Sequence, residues 1–363
     1  MGLKLPSVIF GATSLGNLFR RVSDAEKSEI VHAWLTCRSA QPRELQVHAL
    51  DQESEPSALH SEEADLPIVI DSAGKYGAGL SLEVIGRELS RLGVAPERVL
   101  ISNKLAWRRV PLSAAEPTFE PGVWFDIRHD AVQDISYDGI LRCWKEGNEL
   151  LAPYRAGLVS VHDPDEYLAA ARSPDERQQR LADVIEAYRA LTELRDAGEI
   201  MATGVGAKDW TVIKELDQHC RFDWVMFANS FTIYSHPPQL VEFISELSRR
   251  GIAVIDSALF HGGFLLGGQF LDYQAIDENR QDHCRALRWR DEFHSLCNAN
   301  SVTPFHVAVA FARSHPGVRS VALSSSRADR VASHLAASQT PVPDTVWQQL
   351  KSTGLIDPNY PFL

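Results

Sequence analysis

The sequence is poor in the features that commit a chain to an extracellular, membrane or polyanion-binding role. Cysteine is scarce: Cys37, Cys143, Cys220, Cys284 and Cys297 are an odd number with no CxxC pair. That spacing argues against a disulfide framework and a structural zinc site, and leaves buried thiols in a reducing compartment as the expected state. No metal site is expected. No apolar run reaches the length of a bilayer. The opening residues MGLKLPSVIF lack a signal-peptide core, and Pro6 breaks the myristoylation pattern after Gly2. Basic residues are in deficit, with 36 Lys and Arg against 48 Asp and Glu and a formal net charge of −12. An acidic balance repels phosphate backbones and anionic lipid, so the expectation is a cytoplasmic protein with no nucleic-acid or membrane partner. The GxGxxG turn of open dinucleotide-binding sheets is missing as well, because the first turn reads Gly11-Ala12-Thr13-Ser14-Leu15-Gly16.

What is present suits a large α/β unit. The 363 residues are 44% hydrophobic and 23% charged, enough apolar surface for a substantial core. Short apolar runs at 8–10, 68–70, 99–102, 158–161, 201–205, 224–228, 252–255 and 320–323 have the length and β-branching of buried parallel strands. Helical patterns fall between them, at 81–92, 174–197, 238–250, 303–314 and 328–336. Strands alternating with helices require a mainly parallel sheet. Eight such strands predict a closed (β/α)8 barrel, a TIM barrel, with a doubly wound open sheet as the alternative. A plain barrel needs about 250 residues. The surplus is assigned to a polar excursion at 38–66, an aromatic-rich insertion at 106–136 and a C-terminal tail at 337–363. The whole chain, 1–363, is read as one domain.

Barrel enzymes carry their chemistry at the C-terminal ends of the strands. The second predicted strand ends in Asp71, with Tyr76 in the following loop. The third ends in Asn103-Lys104, and the fourth in His162-Asp163. An unperturbed tyrosine has a pKa near ~10, and a neighbouring ammonium favours its phenolate. Lys104 can supply that charge, Asp71 can hold Lys104, and His162 can orient a substrate oxygen. Such a set moves a proton on or off a hydroxyl or carbonyl oxygen and lacks only a hydride carrier. One Asp–Lys pair alone reads as a barrel salt bridge; four such residues at the expected strand ends read as a site.

The spacing Asp71-Ser-Ala-Gly-Lys-Tyr76-Gly77 resembles the D-x-A-x-x-Y-G motif of the aldo-keto reductase superfamily. Lys104 in ISNKL and His162 in LVSVHDPDEY match that family's other two catalytic positions. GATSLGNLFR resembles its opening turn, with Gly11 and Thr13 as implied cofactor contacts. VIDSALFHGGFLLGG resembles the loop over the cofactor diphosphate and implies Ser257, Leu259 and Gly262, with His261 in the same loop either near phosphate or facing solvent. SVALSSSRADRVASHL resembles the segment gripping the adenosine phosphate and implies Ser324, Ser326, Arg327, Arg330 and His334. After the fifth strand Lys208 stands where relatives place the asparagine that meets the carboxamide. Asn229 is expected at the strand-six contact, and Phe231 as the aromatic stacked on the nicotinamide. The resemblance implies NADP or NAD as cofactor, with the choice open.

Within that family, DISYDGILRCW and VHDPDEY resemble the D-threo-aldose 1-dehydrogenases, also called L-fucose or L-galactose dehydrogenases, with pyridoxal 4-dehydrogenase as a relative. The implied reaction oxidises an aldose such as L-fucose or D-arabinose at its anomeric carbon to the lactone, with Tyr76 as general acid/base. Trp107 and Trp124 are candidates to line the sugar pocket, or else to anchor the long insertion. The alternatives are an aldehyde or pyridoxal oxidoreductase and a cofactor-binding barrel of regulatory role with little catalysis. The implied partner is a small sugar or aldehyde. The sequence carries no signal for oligomeric state.

Overall fold

The computed structural model describes residues 2–39, 65–272 and 274–363. Most of the excursion expected at 38–66 therefore lies outside the described residues. Eight parallel strands close a barrel: β1 (Val8–Gly11), β2 (Ile68–Ala73), β3 (Val99–Leu105), β6 (Ala156–His162), β7 (Ala202–Ala207), β8 (Trp224–Ala228), β9 (Ala253–Ser257) and β12 (Val318–Ser324). The order around the barrel is β1-β12-β9-β8-β7-β6-β3-β2. This is the (β/α)8 fold.

Each strand is bounded by chemistry that its residues supply. Side chains alternate between a barrel interior and an outer layer under the helices. Ile9, Val69, Leu100, Leu158, Trp224, Met226 and Ile255 fill the interior, whereas Val159, Val205, Val225 and Val254 pack outward. Gly204 is required opposite Trp224, since a Cβ there would lie 2.1 Å from the indole. Helices begin where a side chain can take an orphan backbone N–H. Ser136 accepts from Gly139, Ser173 from Glu176 and Thr303 from His306.

The insertion at 106–136 is organised. It begins as an antiparallel hairpin, β4 (Trp107–Pro111) with β5 (His129–Gln133), whose connection carries Phe119, Val123, Trp124 and Ile127 into a small apolar cluster of their own. That cluster packs on Tyr76 and Leu80. β10 (Phe270–Leu271) and β11 (Gln274–Ala275) form a two-residue ribbon in the loop after β9. The segment expected as a tail is structured too. The helix Asp329–Gln339 runs past its predicted end, and a further helix, Asp344–Ser352, buries Val346, Trp347 and Leu350. Tyr360 is buried, and its hydroxyl lies 2.7 Å from that of Ser314.

One polar group in the outer layer runs against this pattern. Asp256 follows Val254 on the outward face of β9 and is wholly buried, with no hydrogen-bond partner among the described residues for either carboxyl oxygen. Burial pushes its pKa well above the usual carboxylate range, against a weaker opposing pull from the Ser257 amide. The folded chain thus keeps a proton that the unfolded chain, with a pKa near ~3.9, releases. Stability from this group is present below that value and lost as pH rises through the folded pKa, at up to ~1.4 kcal/mol per pH unit. Asp256→Asn keeps the shape and removes the titration. Thermal melts between about pH 5 and about pH 8 should fall less for the variant than for the wild type. Parallel pH profiles would contradict this account of Asp256.

Candidate active site

Pairing in register brings the strand ends together. Gly11 lies beside Asp71, Asp71 beside Ser102, Lys104 beside Ser160, and His162 beside Gly206. All four sequence-predicted residues, Asp71, Tyr76, Lys104 and His162, line one cavity of about 420 Å3 at this end of the barrel. The Lys104 ammonium donates to Asp71 Oδ2 at 2.5 Å and to the Ser72 carbonyl at 3.3 Å, and Ser102 donates to Asp71 Oδ1 at 3.0 Å. The two charged side chains are only 4% and 6% exposed, so the pair is nearly dry. Lys104 Nζ lies 4.8 Å from the centroid of the Tyr76 ring, and the His162 ring stands edge-on to Tyr76 at 5.7 Å.

Tyr76 is held by backbone that only glycine permits. Gly77 adopts φ +62°, and a Cβ on it would lie 2.5 Å from the Gly16 carbonyl. A Cβ on Gly16 would lie 2.7 Å from the Tyr76 carbonyl carbon. The two glycines therefore let the first loop close against the Tyr76 backbone. Burial lowers the His162 pKa to about 3, opposed by Asp163 and reinforced by Lys104, Lys75 and Lys208. The imidazole is thus neutral at working pH, and its Nδ1 is buried without a partner among the described residues. A neutral ring donates through one nitrogen and accepts through the other, which suits a substrate hydroxyl.

A second charged group shares the cavity. Lys75, one residue before Tyr76, is 3% exposed. Its ammonium pairs with Glu120 at 2.7 Å and with Asp163 and Glu166 at 3.2 Å each, and it lies 4.9 Å over the Trp107 ring. Lys208 pairs with the other oxygen of Glu166. These carboxylates hold both lysines charged, above the usual lysine range, against the opposing effect of burial. Glu120 Oε2 also accepts from the Trp124 indole at 2.7 Å. Trp124 lines the cavity with its ring 5.9 Å from that of Tyr76.

At the far end the cavity meets the turns after β1, β9 and β12. Thr13 and Ser324 share a hydroxyl contact at 2.9 Å, Ser14 donates to the Ser325 carbonyl at 2.9 Å, and Arg20 to the Ser326 carbonyl at 2.8 Å. Gly262 and Gly263 take φ +71° and +91°, a left-handed turn that exposes backbone to the cavity.

A family model for the aldo/keto reductase family matches residues 68–354. The chain belongs to the aldo/keto reductase family. As a member it is an NAD(P)-dependent oxidoreductase. It is 27% identical over 298 residues to a pyridoxal 4-dehydrogenase of Microbacterium luteolum, covering 79% of this chain and 84% of that protein. It is 22% identical over 364 residues to a D-threo-aldose 1-dehydrogenase of a Pseudomonas species, covering 98% and 96%. The fold is similar to that of an aldo-keto reductase from Bacillus halodurans in its holo form, with a TM-score of 0.64 at 16% identity over 98% and 96% of the two chains.

This member's residues suit a nicotinamide dinucleotide. Asn229 is 7% exposed, and among the described residues neither of its side-chain amide atoms has a hydrogen-bond partner, an expensive state. Of the residues expected at the cofactor, Gly11, Thr13, Lys208, Ser257, Leu259, Gly262, Ser324 and Ser326 line the cavity. Asn229, next in sequence to the lining residue Ala228, is not itself in the lining.

Other expectations need correction. Phe231 is fully buried against Phe311, His315 and Tyr360, so it cannot stack on a nicotinamide. His334 stacks on Phe305 at 4.2 Å outside the cavity. Arg327 is paired with Asp329, at 2.5 Å through its terminal nitrogen, and neither it nor Arg330 lines the cavity. Of the two readings of Trp107 and Trp124, Trp107 anchors the insertion against Phe119 and Lys75, and Trp124 lines the cavity. His261 faces neither phosphate nor solvent: it is buried between Asp272 and Thr232, at 2.7 and 2.8 Å. Sequence reasoning missed Lys75, Glu120, Asp163 and Phe19 as cavity residues. Lys75 and Asp163 carried a signal, each being a charge beside a catalytic position; Glu120 carried none.

Proposed function

We propose that the protein oxidises an aldose of the L-fucose or D-arabinose type at its anomeric carbon to the lactone. The observation that carries this reading is Trp124, an aromatic face within 6 Å of Tyr76 whose indole donates to Glu120, in a cavity that Asp163 also lines. Aromatic faces suit the C–H faces of sugars, and carboxylates accept from their hydroxyls. The name of the D-threo-aldose 1-dehydrogenase relative supports the same chemistry. When bound, the nicotinamide cofactor supplies the acceptor for the hydride leaving the anomeric carbon. Tyr76 takes the proton from the anomeric hydroxyl, so the lactone carbonyl forms as the C–H bond breaks. Lys104 compensates the charge on Tyr76, Asp71 fixes Lys104, and neutral His162 orients the anomeric oxygen. In reduction Tyr76 returns the proton. Incubation with NAD and NADP plus L-fucose, D-arabinose, L-galactose and pyridoxal tests the reading, through the absorbance of the reduced cofactor. Turnover of pyridoxal alone would transfer the assignment to aldehyde oxidation.

The adenosine loop yields a prediction on cofactor choice. Arg327 lies outside the cavity lining, and Asp329 occupies its guanidinium fork, which once freed would suit a 2′-phosphate. Asp329→Asn should raise the ratio of NADP to NAD in kcat/KM several-fold, mainly through a lower KM for NADP. An unchanged ratio would mean that Arg327 does not contact the cofactor.

A further inference from the structure

The cavity's charge does not balance. Arg20 is matched by Glu26 and Lys104 by Asp71. Lys75 and Lys208 meet three carboxylates, those of Glu120, Asp163 and Glu166. His162 is neutral and adds nothing. Among the described residues, the four cations of the lining therefore face five carboxylates as ion-pair partners. The unmatched negative charge lies in the cluster around Lys75, the residue before Tyr76, at the substrate end. Glu120 is the most accessible of the carboxylates lining that end, its side chain 25% exposed against 8% for Asp163. It also fixes Trp124 by accepting from the indole.

We infer that Glu120 is a specificity-determining residue: it makes the site select neutral, hydroxyl-rich substrates and reject those bearing a carboxylate or phosphate. Hydroxyl groups donate to the carboxylates of Glu120 and Asp163, whereas an anion meets uncompensated negative charge in a poorly solvated wall. Lys75 cannot rescue an anion, because three carboxylates already surround its ammonium. The residue comes from the insertion after β3, so this selectivity is added to the barrel by a loop and does not touch the proton-transfer set. The inference rests on the proposed oxidation for its substrate class and on the charge balance for its sign.

The test compares matched pairs on the cofactor-loaded enzyme. L-galactose and L-galacturonate share a ring and differ in one carboxylate. For the carbonyl direction, 4-nitrobenzaldehyde and 4-carboxybenzaldehyde do the same. The wild type should favour the neutral member by about 100-fold or more in kcat/KM. Glu120→Gln keeps an acceptor for Trp124 and removes the charge. It should shrink that preference at least tenfold, through a lower KM for the anion, with cofactor affinity unchanged. Discrimination in the aldehyde pair with no oxidation of either sugar would uphold this inference and overturn the proposed aldose oxidation. Equal use of both members of a pair, or a Glu120→Gln variant with unaltered preference, would overturn the inference. Failure to turn over any of the four compounds would overturn both.

Discussion

Replacing Tyr76 with phenylalanine is expected to lower kcat by roughly 10³-fold while leaving cofactor affinity near that of the wild type. The magnitude is that of one general acid/base in the rate-determining transition state. The cavity retains its shape, because the ring still meets Trp124 and His162 and only the hydroxyl is lost. Gly16 and Gly77 fix the backbone at this position independently of the side chain. KM should therefore move little, the pattern of an interaction made only in the transition state. Stopped-flow cofactor binding alongside steady-state turnover separates the two effects. A variant within a few-fold of wild-type kcat would remove Tyr76 from the chemistry.

The second large effect concerns the Lys104–Asp71 pair. Lys104→Met leaves the Asp71 carboxylate buried, with Ser102 as its remaining donor. Breaking a dry ion pair from one side costs about 3–5 kcal/mol, so a marked fall in Tm should accompany a loss of turnover. The double replacement Lys104→Met with Asp71→Leu removes both charges. It should recover most of the stability and none of the activity, since Tyr76 still lacks the ammonium 4.8 Å from its ring. Recovery of activity with stability would reduce the pair to a scaffold element. A Tm equal to wild type in the single variant would mean that Asp71 takes up a proton or water at little cost.

The degree to which the molecule was legible followed the physics of its parts. Every barrel strand was visible, because strands covered on both faces are continuous apolar runs. The apolar runs of several strands stopped short of the observed C-terminal ends. Asp71 to Ala73 and Asn103 to Leu105 continue the pairing in register although Asp71, Asn103 and Lys104 are polar, and those polar residues ended the apolar pattern early. The same residues carry the site, so the strands were misread by a few residues where they become functional. The hairpin β4–β5 was hidden for another reason. Its strands are half-exposed and rich in charge, WRRVP and HDAVQ, and pair across a long connection. Phe231 was misplaced because sequence register fixes a position near the strand-eight loop and not the side from which the ring emerges. Glu120 was invisible because its partners, Lys75 and Trp124, are assembled by the fold, with no periodic signal to connect them.

Aldose deuterated at the anomeric carbon tests the central claim most directly. The account predicts that the deuterium appears in the reduced nicotinamide ring, that the product is the lactone, and that turnover slows by a primary isotope effect. Deuterium released to solvent, or an unlabelled reduced cofactor, would contradict hydride transfer from that carbon and with it the role assigned to Tyr76.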